Sequence, residues 1–220
     1  MRQTPHKTLP QSLYLLCYTV GKGKFELGNL QGRGQLLRAG ALTELTLAGL
    51  ISAEGRKVVR CAGGAPDDPF AAKVLGDLPT EKPKGWLQFV HNKAHTAERP
   101  VRDQLAEAGA ITVSREKRLG LPVDKVTVND PGEVLALQER VRHAVLGAAD
   151  PAAVAVDELT MAVFATEVEV TGVLSGKERR EHKRTLKSFA ERYDTLVPGL
   201  RKALRDSYLS SRAVGGGWGS

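Results

Sequence analysis

One stretch limits the possible folds of this chain more than any other. It is Gly32-Arg33-Gly34-Gln35-Leu36-Leu37-Arg38-Ala39-Gly40-Ala41-Leu42-Thr43-Glu44-Leu45-Thr46-Leu47-Ala48-Gly49-Leu50-Ile51. From Gln35 to Leu50 the residues are apolar on nearly every side, the pattern of a helix enclosed by others. Arg38 sits inside it. Ala41, Leu42 and Leu45 follow at three, four and seven residues, so Arg38 shares a stripe with residues that must be buried, one turn below the expected helix start. A buried cation needs an anion. Two sources stay open: a carboxylate of this chain, such as Glu44 or an acid on another helix, or an external ligand. The glycine-rich turn expected before the helix would free backbone N–H groups where the helix dipole also favours negative charge. A phosphate or carboxylate ligand is therefore the class indicated.

The charge distribution points the same way. The net charge is +7, and residues 1–60 hold nine Lys or Arg against three acids, a surplus of six. Residues 61–130 hold ten against ten, and 131–220 thirteen against twelve. A basic N-terminal third predicts an anionic partner, either nucleic acid or an acidic membrane face. The 220 residues, 41% hydrophobic, suffice for a core. There is no run of eighteen apolar residues, and Met1-Arg2-Gln3-Thr4-Pro5-His6-Lys7 leads into an amphipathic segment without a cleavage pattern. The expectation is a cytoplasmic protein that neither spans a membrane nor is secreted.

Catalytic and metal signatures are weak. Cys17 and Cys61 lack paired-ligand spacing, and Cys17 is expected as a buried free thiol. His91 and His95 have i, i+4 spacing but no third ligand at the right distance. Gly28-Asn29-Leu30-Gln31-Gly32-Arg33-Gly34 lacks the Gly-Lys-Ser/Thr ending of a phosphate loop, and no Gly-x-Ser-x-Gly elbow occurs. The chain is expected to be no enzyme and to need no cofactor or metal.

The remaining elements follow from caps and periodicity. A helix is expected from Pro10 to Val20, closed by Gly21, then a turn with Lys22 and Lys24, and an extended piece from Glu26 to Leu30. After Gly49 the chain turns extended around Glu54-Gly55. Asp67-Asp68-Pro69 caps a short helix to about Leu78, and further helices begin near Lys84 and Arg99. A second hairpin, residues 111–128, has the apolar tip Leu119-Gly120-Leu121-Pro122-Val123 flanked by Arg115, Lys117, Arg118 and Lys125. Such a tip either packs on the domain or a neighbour, or enters a bilayer interface, where apolar tips and basic flanks act together. Beyond Asn129-Asp130-Pro131 the chain reads as helical: Glu133 to Leu146, a helix capped by Asp150-Pro151, one from Lys177 to Tyr193, and Leu196 to Leu209. In the Lys177 to Tyr193 run, Arg180, Lys183, Arg184 and Lys187 form a basic stripe, which reads as a solvated face or as a contact with an anionic surface.

The order of these elements resembles the Golgi phosphoprotein 3 family. The resemblance is carried by Leu9-Pro10 before Leu13 and Leu15-Leu16, the basic glycine-rich segment, the Leu37 to Ile51 helix, Trp86 opening a later helix, and Leu105-Ala106-Glu107-Ala108-Gly109-Ala110-Ile111 before a hairpin. It runs from about Leu9 to about Tyr193. It implies a mostly helical bundle and a peripheral membrane protein that recognises phosphatidylinositol 4-phosphate and retains membrane enzymes through their cytoplasmic tails. Under it Arg38 looks like the arginine that contacts the lipid phosphate, Arg99 and Arg102 resemble a second arginine pair, and Arg33 contributes to the rim. Asn29 falls near the family's pocket-forming Trp. The hairpin resembles one used for membrane insertion, through Leu119, Leu121 and Val123, and for self-association into homo-oligomers.

The fold expected is therefore mostly α: one helical domain over residues 9–212 with a central apolar helix, surrounding amphipathic helices and two short β-hairpins. Residues 1–8 and the glycine-rich 213–220 are expected to be flexible. The function expected is binding of phosphoinositide or other anionic lipid at the inner face of a membrane. A helix, a glycine stop and a basic hairpin, twice over, is also the grammar of winged-helix nucleic-acid-binding proteins. That alternative is weakened because the helix due in the groove, Gln35 to Leu50, is too apolar to read bases.

Overall fold

In a computed structural model the chain is described over residues 7–25, 30–54, 56–118 and 121–215; Asn29, Leu119 and Trp218 lie outside those residues. Helix α1 (Leu9–Leu16) opens on a capping box in which Thr8 and Gln11 each accept the other's backbone N–H, with Pro10 in the first turn. It stops four residues short of Val20. The amide of Gln138 donates to the carbonyls of Leu16 and Tyr18 at 3.1 and 2.7 Å, and capturing both oxygens lets the chain leave the helix. Tyr18–Thr19 (β1) then pairs antiparallel with Lys24–Phe25 (β2). Cys17 is a buried free thiol, and burial pushes its pKa up to about 12.

Helix α2 (Leu30–Leu47) is the axis of the molecule. It starts earlier than its glycines suggest: Gly32 and Gly34 lie within its first turns, not in a loop before it. Space, not turn geometry, explains them. A Cβ on Gly34 would stand 2.1 Å from the carbonyl oxygen of Ala94, one on Gly32 2.8 Å from the Tyr208 ring, and one on Gly40 2.7 Å from Leu13 Cδ1. Three glycines, each costing a helix about 1 kcal/mol against alanine, thus let three neighbours approach closely. Leu36, Leu37, Ala39, Ala41 and Leu42 are fully buried, and Gly49, at φ 70°, ends the helix in the left-handed conformation.

Strands β3 (Ile51–Glu54) and β4 (Lys57–Arg60) pair as the expected hairpin, and Lys84–Gly85 (β5) joins β4 as a third strand. Helix α3 (Pro69–Gly76) is capped by Asp68, which accepts from Ala71 N at 2.6 Å. Helix α4 (Trp86–His91) begins at Trp86, two residues after Lys84. A 3₁₀ turn, Ala94–Thr96, leads to α5 (Glu98–Glu107). Strands β6 (Ile111–Arg118) and β7 (Leu121–Val128) form the second hairpin. The chain then continues through α6 (Pro131–Leu146), α7 (Val156–Glu167), α8 (Gly176–Glu181), α9 (Lys183–Leu196) and α10 (Leu200–Gly215).

Other boundaries differ from expectation, the last helix among them, which begins at Leu200 and not at Leu196. Asp150 caps a turn, accepting from Ala152 N, and α7 starts only at Val156. The run from Lys177 to Tyr193 breaks at His182, the C-cap of a short helix, α8, that the Ser175–Glu178 capping box opens, and the N-cap of α9. The architecture is mostly α with α2 at its centre, contacting α1, α3, α4, α5 and α10. No helix among the described residues is long and apolar enough to cross a membrane. No group of three or more His, Cys, Asp or Glu able to hold a metal occurs among them. The ring of His91 instead meets Ser207 Oγ at 3.0 Å.

Candidate functional site

Three arginine clusters emerge from the residues that the sequence singles out, and they occupy different places. Arg38 is 3% exposed. Its Nε donates to the carbonyl of Phe89 at the end of α4, and its Nη2 to Asp77 Oδ2 at 3.1 Å. Asp77, the C-cap of α3, also accepts from Lys93 Nζ at 2.5 Å, and Lys93 takes a left-handed backbone, φ 59°. Burial lowers the pKa of Arg38, opposed by the Asp77 carboxylate. Of the sources open for its anion, the structure holds a carboxylate from another helix, and Arg38 lies two turns inside α2.

Arg33 is buried as well. Its Nη2 donates to Glu98 Oε2 at 2.7 Å, and its guanidinium lies against both Tyr14 and Phe25, 5.4 and 5.1 Å from ring centroids that are themselves 4.7 Å apart. Burial alone would lower its pKa, but Glu98 outweighs that and holds it raised. The two ring faces meet a cation whose Nε and Nη1 have no hydrogen-bond partner.

The third cluster is open to solvent. Helix α5 buries Val101 and Leu105, which turns Arg99, Arg102 and Asp103 outward. The register of β6 and β7 sets Arg115 opposite Asp124. Together Arg99, Arg102, Asp103, Val113, Arg115 and Asp124 line a cleft of about 340 Å³. Its ion pairs are long: Arg99 to Asp103 and Arg115 to Asp124 are each 3.9 Å, and Arg102 to Asp124 is 3.5 Å. The Arg99 and Arg115 side chains are 84% and 79% exposed. Such contacts contribute little to stability. Three guanidinium groups face two carboxylates, so the cleft keeps a positive charge and free N–H donors in the planar geometry that suits phosphate. Further along the hairpin, exposed Lys117 lies opposite Pro122, Arg118 opposite Leu121, and Glu116 opposite Val123.

The sequence model of Golgi phosphoprotein 3 matches residues 9–207. The chain belongs to the Golgi phosphoprotein 3 family. Among curated proteins none matches it.

Seen as a Golgi phosphoprotein 3 family member, the chain brings Arg99 and Arg102 together with Arg115, while Arg38 is held by Asp77 and Arg33 by Glu98, one turn before Arg102 on α5. The four arginines expected around one pocket, Arg38 as inner wall and Arg33, Arg99 and Arg102 as rim, each have an acid of this chain as partner: Asp77, Glu98, Asp103 and Asp124. Asp77, Glu98 and Asp124 were not singled out by sequence. Only Asp124 carried a signal, its place across the hairpin from Arg115. Arg180, Lys183, Arg184 and Lys187 are all exposed, with Arg180 on α8 and the other three on α9.

The partners of Arg38 set its expected behaviour. Arg38→Ala removes one of two cations on a carboxylate that is 14% exposed and frees the Phe89 carbonyl. Breaking a buried pair costs about 3–5 kcal/mol; because Lys93 stays, about 2–3 kcal/mol is expected in urea unfolding. Vesicle binding of the folded variant should be unchanged. Normal stability with lost vesicle binding would instead make Arg38 a ligand-contacting residue.

Proposed function

We propose that this chain is a peripheral membrane protein that holds anionic lipid headgroups, phosphatidylinositol 4-phosphate among them, in the cleft between α5 and the β6–β7 hairpin, and that it catalyses no reaction. One observation carries the reading. Two separate elements deliver Arg99, Arg102 and Arg115 to one surface cleft, where only Asp103 and Asp124 oppose them at 3.5–3.9 Å. Loosely paired guanidinium groups, Arg99 and Arg115 exposed and Arg102 half-buried, can exchange a carboxylate for a phosphate at small cost. Membership of the Golgi phosphoprotein 3 family fits lipid binding, and the hairpin with Lys117 extends the basic surface toward its tip.

The winged-helix alternative needs α2 in a DNA groove, and residues 32–43 of that helix are buried throughout. Co-sedimentation with vesicles of phosphatidylcholine alone, with phosphatidylserine added, or with phosphatidylinositol 4-phosphate added tests the proposal. Pelleting with both acidic compositions and not with neutral vesicles is expected. Equal pelleting on all three would overturn headgroup recognition. No pelleting, together with a salt-sensitive shift of duplex DNA, would favour the nucleic-acid reading.

A further inference from the structure

Beyond the cleft, the surface holds a second group of cations whose charges are left open. Arg180 ends α8, and Lys183 and Arg184 begin α9, separated by His182. All three are exposed. The two nearest acids are engaged elsewhere: Glu178 caps Ser175 and pairs with Arg142, and Glu181 faces Lys177 at 3.7 Å. Other exposed cations of the C-terminal helices have carboxylate partners, Lys187 with Glu191 at 3.5 Å and Lys202 with Asp206 at 2.8 Å. No ion pair or side-chain hydrogen bond is formed by Arg180, Lys183 or Arg184 among the described residues.

Local stability does not explain this arrangement. Lys183 and Arg184 occupy the first turn of α9, which contains no acid. Cations there oppose the helix dipole, and Lys183 lies one turn from the like charge of Lys187. Arg180, in the last turn of α8, suits its own helix, but two neighbouring charges, Lys183 and Arg184, set where they weaken theirs point to a use outside the fold. Helix α9 packs on α7, α8 and α10, whereas the arginine cleft is built from α5 and the hairpin, so the patch is no extension of that cleft.

We propose that Arg180, Lys183 and Arg184 form a second, diffuse electrostatic contact with an acidic phospholipid surface. This rests on the membrane reading and extends it from one headgroup cleft to two points of attachment. The chemistry fits a bilayer better than a nucleic acid. Residues 177–188 contain no Trp, Tyr, Phe, Asn or Gln, so the amides that read adenine edges and, His182 aside, the aromatic rings that stack on bases are missing. A charged surface needs only cations within a Debye length.

The test is Lys183→Glu/Arg184→Glu, measured on vesicles of phosphatidylcholine and phosphatidylserine at four to one. Each lost charge is worth about fivefold in affinity, so binding should weaken at least 25-fold, on the order of what two charges give, with a shallower salt dependence. The variant should melt about 2 °C higher, because acids now occupy the first turn and the new Glu at 183 can face Lys187. Lys82→Glu/Lys84→Glu, the same charge change at other exposed lysines, should weaken binding far less. Wild-type affinity in Lys183→Glu/Arg184→Glu, or an equal loss in the Lys82/Lys84 variant, overturns the second contact and leaves the cleft intact. If the wild type binds neither acidic vesicle, both proposals fall. A DNA shift abolished by Lys183→Glu/Arg184→Glu would then assign the patch to nucleic acid.

Discussion

Gly34→Ala is expected to lower the folding free energy by about 3 kcal/mol, the upper end of the overpacking range, and the melting temperature by about 6–12 °C. In an ordinary helix this exchange stabilises by about 1 kcal/mol. Here the new Cβ would lie 2.1 Å from the carbonyl oxygen of Ala94 and 2.7 Å from its carbon. Both are backbone atoms of the 3₁₀ turn, so no side-chain rotation relieves the contact; α2 or the turn before α5 must move. Gly76→Ala is the control, since a Cβ there meets nothing within 4 Å and should be neutral or slightly stabilising. Thermal melts of the two variants check this. Gly34→Ala as stable as Gly76→Ala would mean that α2 and the turn are not in contact, and that the glycines serve a loop.

The same residues show what the sequence made legible. An apolar run with one arginine told correctly that α2 is enclosed and that Arg38 needs an anion. It did not tell where the helix starts, because Gly32 and Gly34 look alike as a loop and as a close helix crossing. Which one applies depends on Ala94 and Tyr208, distant in sequence. The partner of Arg38 was hidden for a similar reason: Asp77 reads as an unremarkable residue after α3, and only tertiary packing carries it to α2. By contrast, Asp68 as a cap, Gly49 and Gly109 as helix ends, and the long hairpin over residues 111–128 depend on neighbours a few residues away, and all could be read directly. The break at His182 lay between these cases. Ser175 and Glu178 have capping-box spacing, but the basic periodicity continuing through Lys187 made one long helix the simpler reading.

The cleft prediction has the largest expected effect on function. Replacing Arg99, Arg102 and Arg115 together by glutamine removes all three cations from the rim. With about fivefold per charge, affinity for acidic vesicles should fall about a hundredfold. Stability should change little, by about 1 kcal/mol, because the three ion pairs are long and Arg99 and Arg115 are largely exposed. That contrast with Gly34→Ala separates recognition from folding: one variant should melt early, the other should remain folded and fail to bind. Asp103 and Asp124 would keep their charge, so the emptied cleft becomes net negative and repels phosphate instead of merely ignoring it.

The most direct measurement is a binding isotherm of the wild type and the Arg99→Gln/Arg102→Gln/Arg115→Gln variant on vesicles of phosphatidylcholine with one-fifth phosphatidylserine, near 0.15 M salt, with circular dichroism melts confirming that both are folded. The account predicts saturable binding by the wild type and an approximately hundredfold loss in the folded variant. Indistinguishable isotherms for the two proteins would contradict it.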